Sequence, residues 1–286
     1  MILRRLLGTL WISSVFVPIL LAGCSGLWPR WFDTVEPPPD PPVVILVAPV
    51  VVEAPIGDAS DIYTFTEPPS DDLEPQVRAQ LIDELALRAQ RVLTEQVTTR
   101  PGFRVVHFAE ARRLGGGVRE VGQRWTDEEL ATLGSAAGAD LVIAARINDY
   151  GRLGWRHWVY GWLVVASTHT VIVGAATGWN PLAMGGYLAY DLATDLPLWY
   201  GGAYILGWAF RPVHIEVEGL QLTGCVQRVW YDQEVTILAS RSELAKFAEN
   251  QRPRKDIQLQ VNLDRALSTL AEVAGNNLRL KPCRTD

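Results

Sequence analysis

The sequence lacks the short motifs that mark common catalytic sites. It contains no HExxH zinc motif, no GxSxG nucleophile turn, no P-loop, no GxGxxG motif and no CxxC pair. Gly115-Gly116-Gly117 is not followed by the Lys-Ser/Thr pair of a phosphate-binding loop. His157 and His169 have no second ligand at helical spacing, so no metal site is expected. We therefore expect a non-catalytic protein with no cofactor.

Charge is also scarce. Charged residues make up 20% of the 286 residues, and the net charge is −6 at pH 7, which argues against nucleic acid as a partner. Between Trp31 and Val77 there are ten acidic residues and no basic one. Because no EF-hand spacing is present, we interpret this acidic segment as a solvated loop rather than a calcium site.

The amino terminus has the pattern of an export signal. Arg4 and Arg5 precede an apolar stretch that ends in Leu21-Ala22-Gly23-Cys24. These residues resemble the signal peptide and lipobox of bacterial lipoproteins. The resemblance implies removal of residues 1–23 and acylation at Cys24, and two or more acyl chains form a stable membrane anchor. The alternatives are an ordinary secretory signal and an uncleaved anchor.

The residue after Cys24 bears on the destination. In enterobacterial lipoproteins Ser25, rather than Asp, implies sorting to the outer membrane. The resemblance therefore implies a lipid-anchored protein that faces the periplasm, with the inner membrane as the alternative.

With Cys24 acylated, only Cys225 and Cys283 remain. An exported protein meets an oxidising compartment, which predicts one disulfide between them. Two buried free thiols are the alternative.

Hydrophobic periodicity outlines the mature chain. Apolar runs predict strands over 43–52, 103–108, 140–147, 212–222 and 226–240, and helical spacing predicts helices over 75–97, 109–114, 127–137 and 263–278, the last capped by Asn262. The alternation of strands and helices predicts an α/β fold, a mixed sheet with packed helices. We divide the chain into a lipoprotein signal peptide (1–23), a Pro-rich tether (24–42), an α/β domain (43–151 and 212–286) and a hydrophobic insertion (152–211).

The segment around Gly134 carries a further resemblance. Leu133-Gly134, followed by Ala137-Gly138-Ala139-Asp140-Leu141-Val142-Ile143, resembles a periplasmic α/β family. That family includes the amino-terminal domain of the Tol-system propeller protein and the curli secretion-channel lipoprotein. The resemblance implies a small mixed sheet in an assembly or interaction module, with no common catalytic site.

The insertion has an unusual composition. Residues 157–190 contain no Asp, Glu, Lys or Arg, and six of the eleven tryptophans fall between 152 and 211: Trp155, Trp158, Trp162, Trp179, Trp199 and Trp208. Aromatic edges around an apolar centre are typical of a membrane interface. We expect these tryptophans to contact a membrane or a protein partner.

Three structures of the insertion stay open. The first is a helical hairpin that dips into or crosses a bilayer, because 158–178 would span about 31 Å as a helix at ~1.5 Å per residue. Its second piece, 196–210, is short enough for a re-entrant or packed helix. The second is a pair of β-strands in a channel, although Leu163–Ala166 and Val171–Val173 do not alternate as such strands do. The third is an apolar subdomain or an oligomer interface.

These features predict a membrane-anchored, non-catalytic lipoprotein of the cell envelope that acts as an assembly, scaffold or interaction module. Its expected partners are the membrane and either an envelope protein or a second copy. One alternative is a subunit of an oligomeric outer-membrane secretion channel of the curli type. The other is an envelope enzyme that acts on a hydrophobic substrate.

Overall fold

A computed structural model gives the fold and describes residues 40–116, 122–152, 155–200, 202 and 204–283. The predicted signal peptide, Cys24 and most of the predicted tether lie outside the described residues. The described chain belongs to two compact units. We refer to residues 155–200 as the helical hairpin, and to the described residues of 40–152 and 202–283 as the α/β body.

The α/β body is built on one seven-stranded mixed sheet. Parallel pairing joins its first strands, in the order β3-β1-β4, and β2 also pairs with β4. Antiparallel pairing adds β6 to β4, and both β5 and β7 to β6. The predicted α/β fold with a mixed sheet is thus confirmed. The strands are β1 Val43–Val47, β2 Val51–Val52, β3 Phe103–Val105, β4 Leu141–Tyr150, β5 Tyr204–Ile205, β6 Trp208–Gln221 and β7 Gln227–Ala239.

Eight helices complete the described chain. They are α1 Ala59–Ile62, α2 Glu74–Thr98, α3 Phe108–Gly115, α4 Asp127–Ala136, α5 Trp155–Thr177, α6 Pro181–Tyr200, α7 Arg241–Leu244 and α8 Lys255–Asn277. Local signals explain several boundaries. Pro75 lies in the first turn of α2, and Thr126 and Glu129 form a reciprocal capping box at the start of α4.

Helices cover both sides of the sheet near β1 and β4. On one side, Ile45 and Ile143 belong to the same buried cluster as Leu263 of α8 and Leu93 of α2. On the other side, Leu46 and Val142 pack with Leu130 of α4. Burial on both faces explains why β1 is apolar at every position.

Several predicted boundaries were wrong. The strand predicted over 103–108 ends at Val105, and the strand predicted over 212–222 begins at Trp208. The strand predicted over 43–52 is interrupted at Pro49, which has no N–H to donate to a sheet.

Helix α8 begins at Lys255 rather than after Asn262, which is fully buried inside it and donates from Nδ2 to the Arg211 carbonyl oxygen at 2.6 Å. Gln258 is also buried in these turns, where its Oε1 accepts from Arg211 Nε at 3.0 Å. Two polar residues at apolar-face positions hide the first two turns of the helix from its hydrophobic pattern.

The predicted solvated loop is also different in the structure. The acidic segment after β2 forms α1 and is fixed by hydrogen bonds to the start of α8. Lys255 Nζ donates to the Ser60 carbonyl oxygen at 2.6 Å, and Arg254 Nη2 donates to Tyr63 Oη at 3.0 Å. Arg152 Nη2 lies 2.7 Å from Asp61 Oδ1. Basic residues distant in sequence therefore neutralise part of the acidic segment.

Candidate membrane-facing surface

The structure places the six predicted tryptophans in two different settings. Five belong to the helical hairpin: Trp155, Trp158 and Trp162 in α5, Trp179 between the helices and Trp199 in α6. The structure describes the side chains of Trp162, which is half-buried, and of Trp179, which is exposed over 61% of its surface. Trp208 lies instead at the start of β6 in the α/β body.

The insertion predicted over 152–211 is therefore shorter, because residues 204–211 belong to the sheet. Residues 196–210 do not form one short helix: α6 runs over Pro181–Tyr200, and β5 and β6 follow. Helices α5 and α6 also replace the β-strands that the channel interpretation expects over these residues. No helix in the described part of the chain is both long enough and apolar enough to span a membrane.

A tight turn joins the two helices. Gly178 and Trp179 both have positive φ, at 65° and 62°, and the Trp179 N–H donates to the Gly174 carbonyl oxygen at 2.7 Å. Asn180 Oδ1 accepts from the Leu182 N–H at 3.0 Å and so caps α6, whose first residue is Pro181. These contacts explain the sharp reversal of the chain.

Gly174 has a packing role at this turn. A Cβ atom at residue 174 would lie 2.8 Å from Cε3 of the Trp179 ring and 3.2 Å from Sδ of Met184. The ring therefore occupies the space that any other side chain would need. The turn therefore requires glycine at both residues, because Gly174 makes room for the Trp179 ring and Gly178 adopts a positive φ.

The outer faces of the helical hairpin are apolar. Leu182 is exposed over 85% of its surface. Other large apolar side chains exposed on the two helices are Leu163, Val164, Val171, Leu188, Tyr190 and Leu192. Single exposed apolar residues are common, but several large ones on one pair of helices are typical of an interaction surface.

The threonines of the helical hairpin satisfy their own hydroxyl groups. Thr168, Thr170, Thr177 and Thr194 donate to the carbonyl oxygens of Val164, Ala166, Val173 and Tyr190, at 2.7 to 2.9 Å. Each is a bond to the preceding helical turn. Such a bond supplies the hydroxyl proton with an acceptor without water. These polar side chains are thus compatible with an apolar environment.

One polar cluster lies between the helices. His169 Nδ1 is 3.4 Å from Asp191 Oδ1 and 3.5 Å from Tyr187 Oη. Asp191 is only 4% exposed, and its Oδ2 has no hydrogen-bond partner among the described residues. A buried carboxylate oxygen without a partner is costly, so this cluster destabilises the hairpin locally.

The second candidate region is a shallow cleft on the sheet of the α/β body, with a volume of about 20 Å³. Its charges are paired: Arg124 Nε lies 2.6 Å from Glu53 Oε1, and Arg146 Nη2 lies 2.5 Å from Glu216 Oε2. Burial and the Glu216 carboxylate raise the pKa of Tyr231 in the cleft wall. The cleft therefore presents little net charge to a ligand, and its described lining includes no serine, threonine or cysteine.

His214 lies nearby, on the same sheet. It is 2% exposed, with Nδ1 3.2 Å from Asp149 Oδ2 and Nε2 3.3 Å from Gln233 Oε1. Both ring nitrogens thus have partners on the neighbouring strands β4 and β7, which suits a structural role. Among the described residues, no group of three His, Cys, Asp or Glu side chains is arranged to hold a metal ion.

The predicted cysteine pair is brought together. Cys225 and Cys283 form a disulfide in the structure, with 5.8 Å between their Cα atoms and a sequence separation of 58. Gln221 strengthens the same connection, since its Oε1 accepts from the Lys281 N–H at 2.7 Å. The pairing fastens the last described residues to the turn between β6 and β7. Its formation in the natural protein stays a prediction.

Comparisons with known proteins add structural similarity alone. No family model and no curated protein matches the sequence. Among solved structures, the hypothetical protein CT253 from Chlamydia trachomatis aligns with 83% of this chain and 98% of its own, at 9% identity and a TM-score of 0.38. The lipoprotein GNA1162 from Neisseria meningitidis aligns with 82% of this chain and 99% of its own, at 11% identity and a TM-score of 0.32.

Both TM-scores lie below 0.5, so the function is argued from the residues of this chain. The resemblance to the Tol-system and curli proteins is not shown by these comparisons and stays an expectation.

Proposed function

We propose that this chain is a non-catalytic lipoprotein of the cell envelope, anchored through Cys24, whose α/β body acts as an assembly or interaction module. The observation that carries the proposal is the amino-terminal sequence, in which Arg4, Arg5, an apolar run and Leu21-Ala22-Gly23-Cys24 follow one another. Charge, apolar length and lipobox agree, as the lipoprotein signal requires. Outer-membrane sorting through Ser25 belongs to the same proposal.

The helical hairpin is the second membrane contact in this proposal. Residues 157–190 have no charged side chain, and the outer faces of α5 and α6 expose leucine, valine and tyrosine. A lipid surface accommodates such faces, because burial stabilises apolar surface by roughly 25 cal/mol per Å². The threonine hydroxyls, already bonded to the helix backbone, add no demand for water.

The α/β body supplies the interaction surface. Its cleft has paired charges, and its buried histidine has structural partners, as described above. This arrangement supports recognition of an envelope protein better than it supports chemistry on a small substrate. A second copy of the chain is the other partner in the proposal.

Membrane fractionation tests both contacts. Four proteins are compared after a carbonate wash: wild type, Cys24→Ala, a variant with residues 153–200 replaced by a Gly-Ser linker, and the combination. The linker is feasible because Gly151 and Gly202 donate to the carbonyl oxygens of Pro212 and Phe210, both at 2.8 Å. The ends of the excised segment are thus held close together on β6.

We expect wild type and each single variant to remain with the membrane and the combined variant to be soluble. If Cys24→Ala alone releases the protein, the helical hairpin is no membrane contact, and a protein interface is the better account of its apolar faces. Mass spectrometry of the wild-type protein tests the lipid anchor directly, and the absence of an acyl group at Cys24 would contradict it. Both Cys24→Ala proteins carry an ordinary secretory signal in place of residues 1–23, because an uncleaved signal would itself hold the chain at the membrane.

A further inference from the structure

The turn between β5 and β6 combines an unusual backbone with an unusual side chain. Two residues, Leu206 and Gly207, connect the strands, and Ile205 pairs with Trp208 immediately beside them. Both turn residues have positive φ, at 52° and 86°. Residues 204–208 are called the β5–β6 tip below.

A leucine is out of place at residue 206. Two-residue hairpin turns with positive φ at both positions strongly prefer Asn-Gly or Asp-Gly, because a Cβ-bearing residue in this region clashes with its own backbone. The left-handed conformation is unfavourable for a residue with a Cβ atom. Leu206 is 87% exposed, so no packing inside the α/β body offsets that cost. A departure from the local rule without a folding benefit points to a function.

The neighbours of Leu206 are exposed in the same way. Ile205 is 48% exposed, Trp208 43% and Tyr204 38%. The tip thus displays four large apolar side chains within five residues. Tryptophan and tyrosine are the residues most enriched at the boundary between water and lipid, and aliphatic side chains insert more deeply.

Cations surround the tip. Arg241 packs directly against it, since a Cβ atom at Gly207 would lie 3.2 Å from Arg241 Cγ. Arg241 and Arg252 line an open groove beside the tip together with Glu249, and Lys246 is exposed on the same segment. The nearby Glu243 carboxylate is bound to Ser240 and lies 3.7 Å from Arg265. Cationic residues therefore outnumber free carboxylates, which suits anionic headgroups.

The tip lies at the end of the sheet that carries the body residues next to the helical hairpin in sequence. Gly151 and Gly202 are the body residues that flank the hairpin segment, and they bond to the carbonyl oxygens of Pro212 and Phe210 near the start of β6. The tip is formed by this same end of β6. It therefore belongs to the end of the sheet from which the proposed membrane segment departs.

We propose that the β5–β6 tip inserts into the interfacial layer of an anionic lipid bilayer, with Leu206 as the inserted side chain and Arg241, Lys246 and Arg252 facing the headgroups. The inference rests on the proposed membrane location and adds a contact made by the α/β body. That contact would fix which end of the sheet faces the membrane and leave the remainder of the body open to a partner.

Depth measurements test this contact in the lipidated full-length protein. A single Leu206→Cys carries an NBD fluorophore, and the protein is reconstituted into phosphatidylcholine vesicles with and without phosphatidylglycerol. Leu73→Cys, an exposed leucine distant from the tip in sequence, is the matched control, and Leu182→Cys reports on the helical hairpin. Quenching by lipids with a nitroxide on the acyl chain reports insertion.

We expect severalfold stronger quenching at residue 206 than at residue 73, and further strengthening with phosphatidylglycerol that Arg241→Gln with Arg252→Gln removes. Equal quenching at residues 206 and 73 would overturn the inference, including the case in which a protein partner covers the tip. Quenching at residue 182 but not at residue 206 would reject insertion of the tip and leave the proposed hairpin contact standing. Quenching at neither residue would reject both contacts.

A second variant separates membrane binding from folding. Leu206→Asn places a preferred residue in the turn, so we expect an unchanged or higher Tm together with severalfold weaker flotation of the Cys24→Ala protein on anionic vesicles. A lower Tm with unchanged flotation would assign Leu206 to folding and contradict the inference.

Discussion

The α/β body and the helical hairpin differ in how far they enclose their large apolar side chains. In the body, Ile45 and Ile143 are fully buried, and Glu216 and Asp61 are each paired with an arginine. In the hairpin, Leu182 and Trp179 are among the most exposed side chains, while Asp191 is only 4% exposed. Water explains the first pattern through the hydrophobic effect but not the second. The two regions are therefore suited to different surroundings.

The comparison extends to how each region satisfies hydroxyl groups. In the body, Thr126 and Ser240 cap helices and bind glutamates at the protein surface, although Thr94, Thr98 and Thr132 donate to the preceding helical turn. In the hairpin, threonines donate back to their own helices. Capping glutamates depend on water and on charge, whereas internal bonds depend on neither. Each prediction below changes a feature that only one region has.

The largest expected effect concerns the disulfide, which is confined to the body. Reduction, or Cys225→Ser with Cys283→Ser, should lower the free energy of unfolding by about 4 kcal/mol, because the bond closes a long loop in the unfolded chain. Urea unfolding of oxidised and reduced protein measures the difference. Two freely alkylated thiols in the native exported protein would contradict the pairing.

The next effect contrasts buried and exposed aliphatic residues. Ile143→Ala should destabilise the body by about 3 kcal/mol, since it leaves a cavity in the central strand. Leu182→Ala should leave the free energy of unfolding unchanged within about 0.5 kcal/mol and weaken membrane association of the Cys24→Ala protein. Urea titration measures the change in the free energy of unfolding, and vesicle flotation measures the change in membrane association. A destabilising Leu182→Ala would mean that protein covers this residue.

A third prediction concerns the turn of the helical hairpin. Gly174→Ala should destabilise the turn by about 1–2 kcal/mol, because its Cβ meets the Trp179 ring. Gly185→Ala is the matched control in α6, where a Cβ meets open space, and it should stabilise the helix by up to about 1 kcal/mol. Hydrogen exchange of α5 and α6 amides should therefore move in opposite directions. Equal effects would show that the ring contact is unimportant.

Sequence patterns predicted the elements whose causes are local. The 3.6-residue spacing and Pro75 gave α2 to within a residue at each end, and the capping box at Thr126 marked the start of α4. The absence of charge over 157–190 likewise indicated the apolar surface. Each of these signals lies within the element that it describes.

Features that depend on distant residues were missed. The start of α8 was hidden because Gln258 and Asn262 face Arg211, a contact made across 47 and 51 residues. Trp208 was placed in the insertion because a short apolar run does not distinguish strand from helix, and only its pairing with Ile205 identifies β5 and β6. The glycine of the Leu206-Gly207 pair indicates a turn in the sequence, but nothing in the sequence indicates the positive φ of Leu206.

The smallest expected effect concerns the charged caps that only the body uses. Burial acts to raise the pKa of Glu243, but hydrogen bonds from Ser240 and the charges of Arg265 and Lys246 outweigh it, so the pKa lies below its ordinary value. A lowered pKa in the folded state means that the stabilisation is complete above the unfolded-state pKa and is lost as the pH falls through the folded-state pKa.

Glu243→Gln should therefore cost about 0.5–1 kcal/mol at neutral pH, the usual value of a helix cap, and progressively less in acid, where the wild-type carboxyl is itself protonated. The pH dependence of the urea midpoint measures this convergence. The control is Glu243→Gln in a Ser240→Ala background, where the carboxylate has lost its hydroxyl partner. In that background, the urea midpoints of the proteins with and without Glu243→Gln should lie closer together across the pH range. Identical pH dependence in both backgrounds would show that the Ser240 cap does not set the pKa of Glu243. The charged contacts on the surface of the body would then contribute less to stability than their geometry indicates, and the contrast with the uncharged faces of the helical hairpin would be smaller.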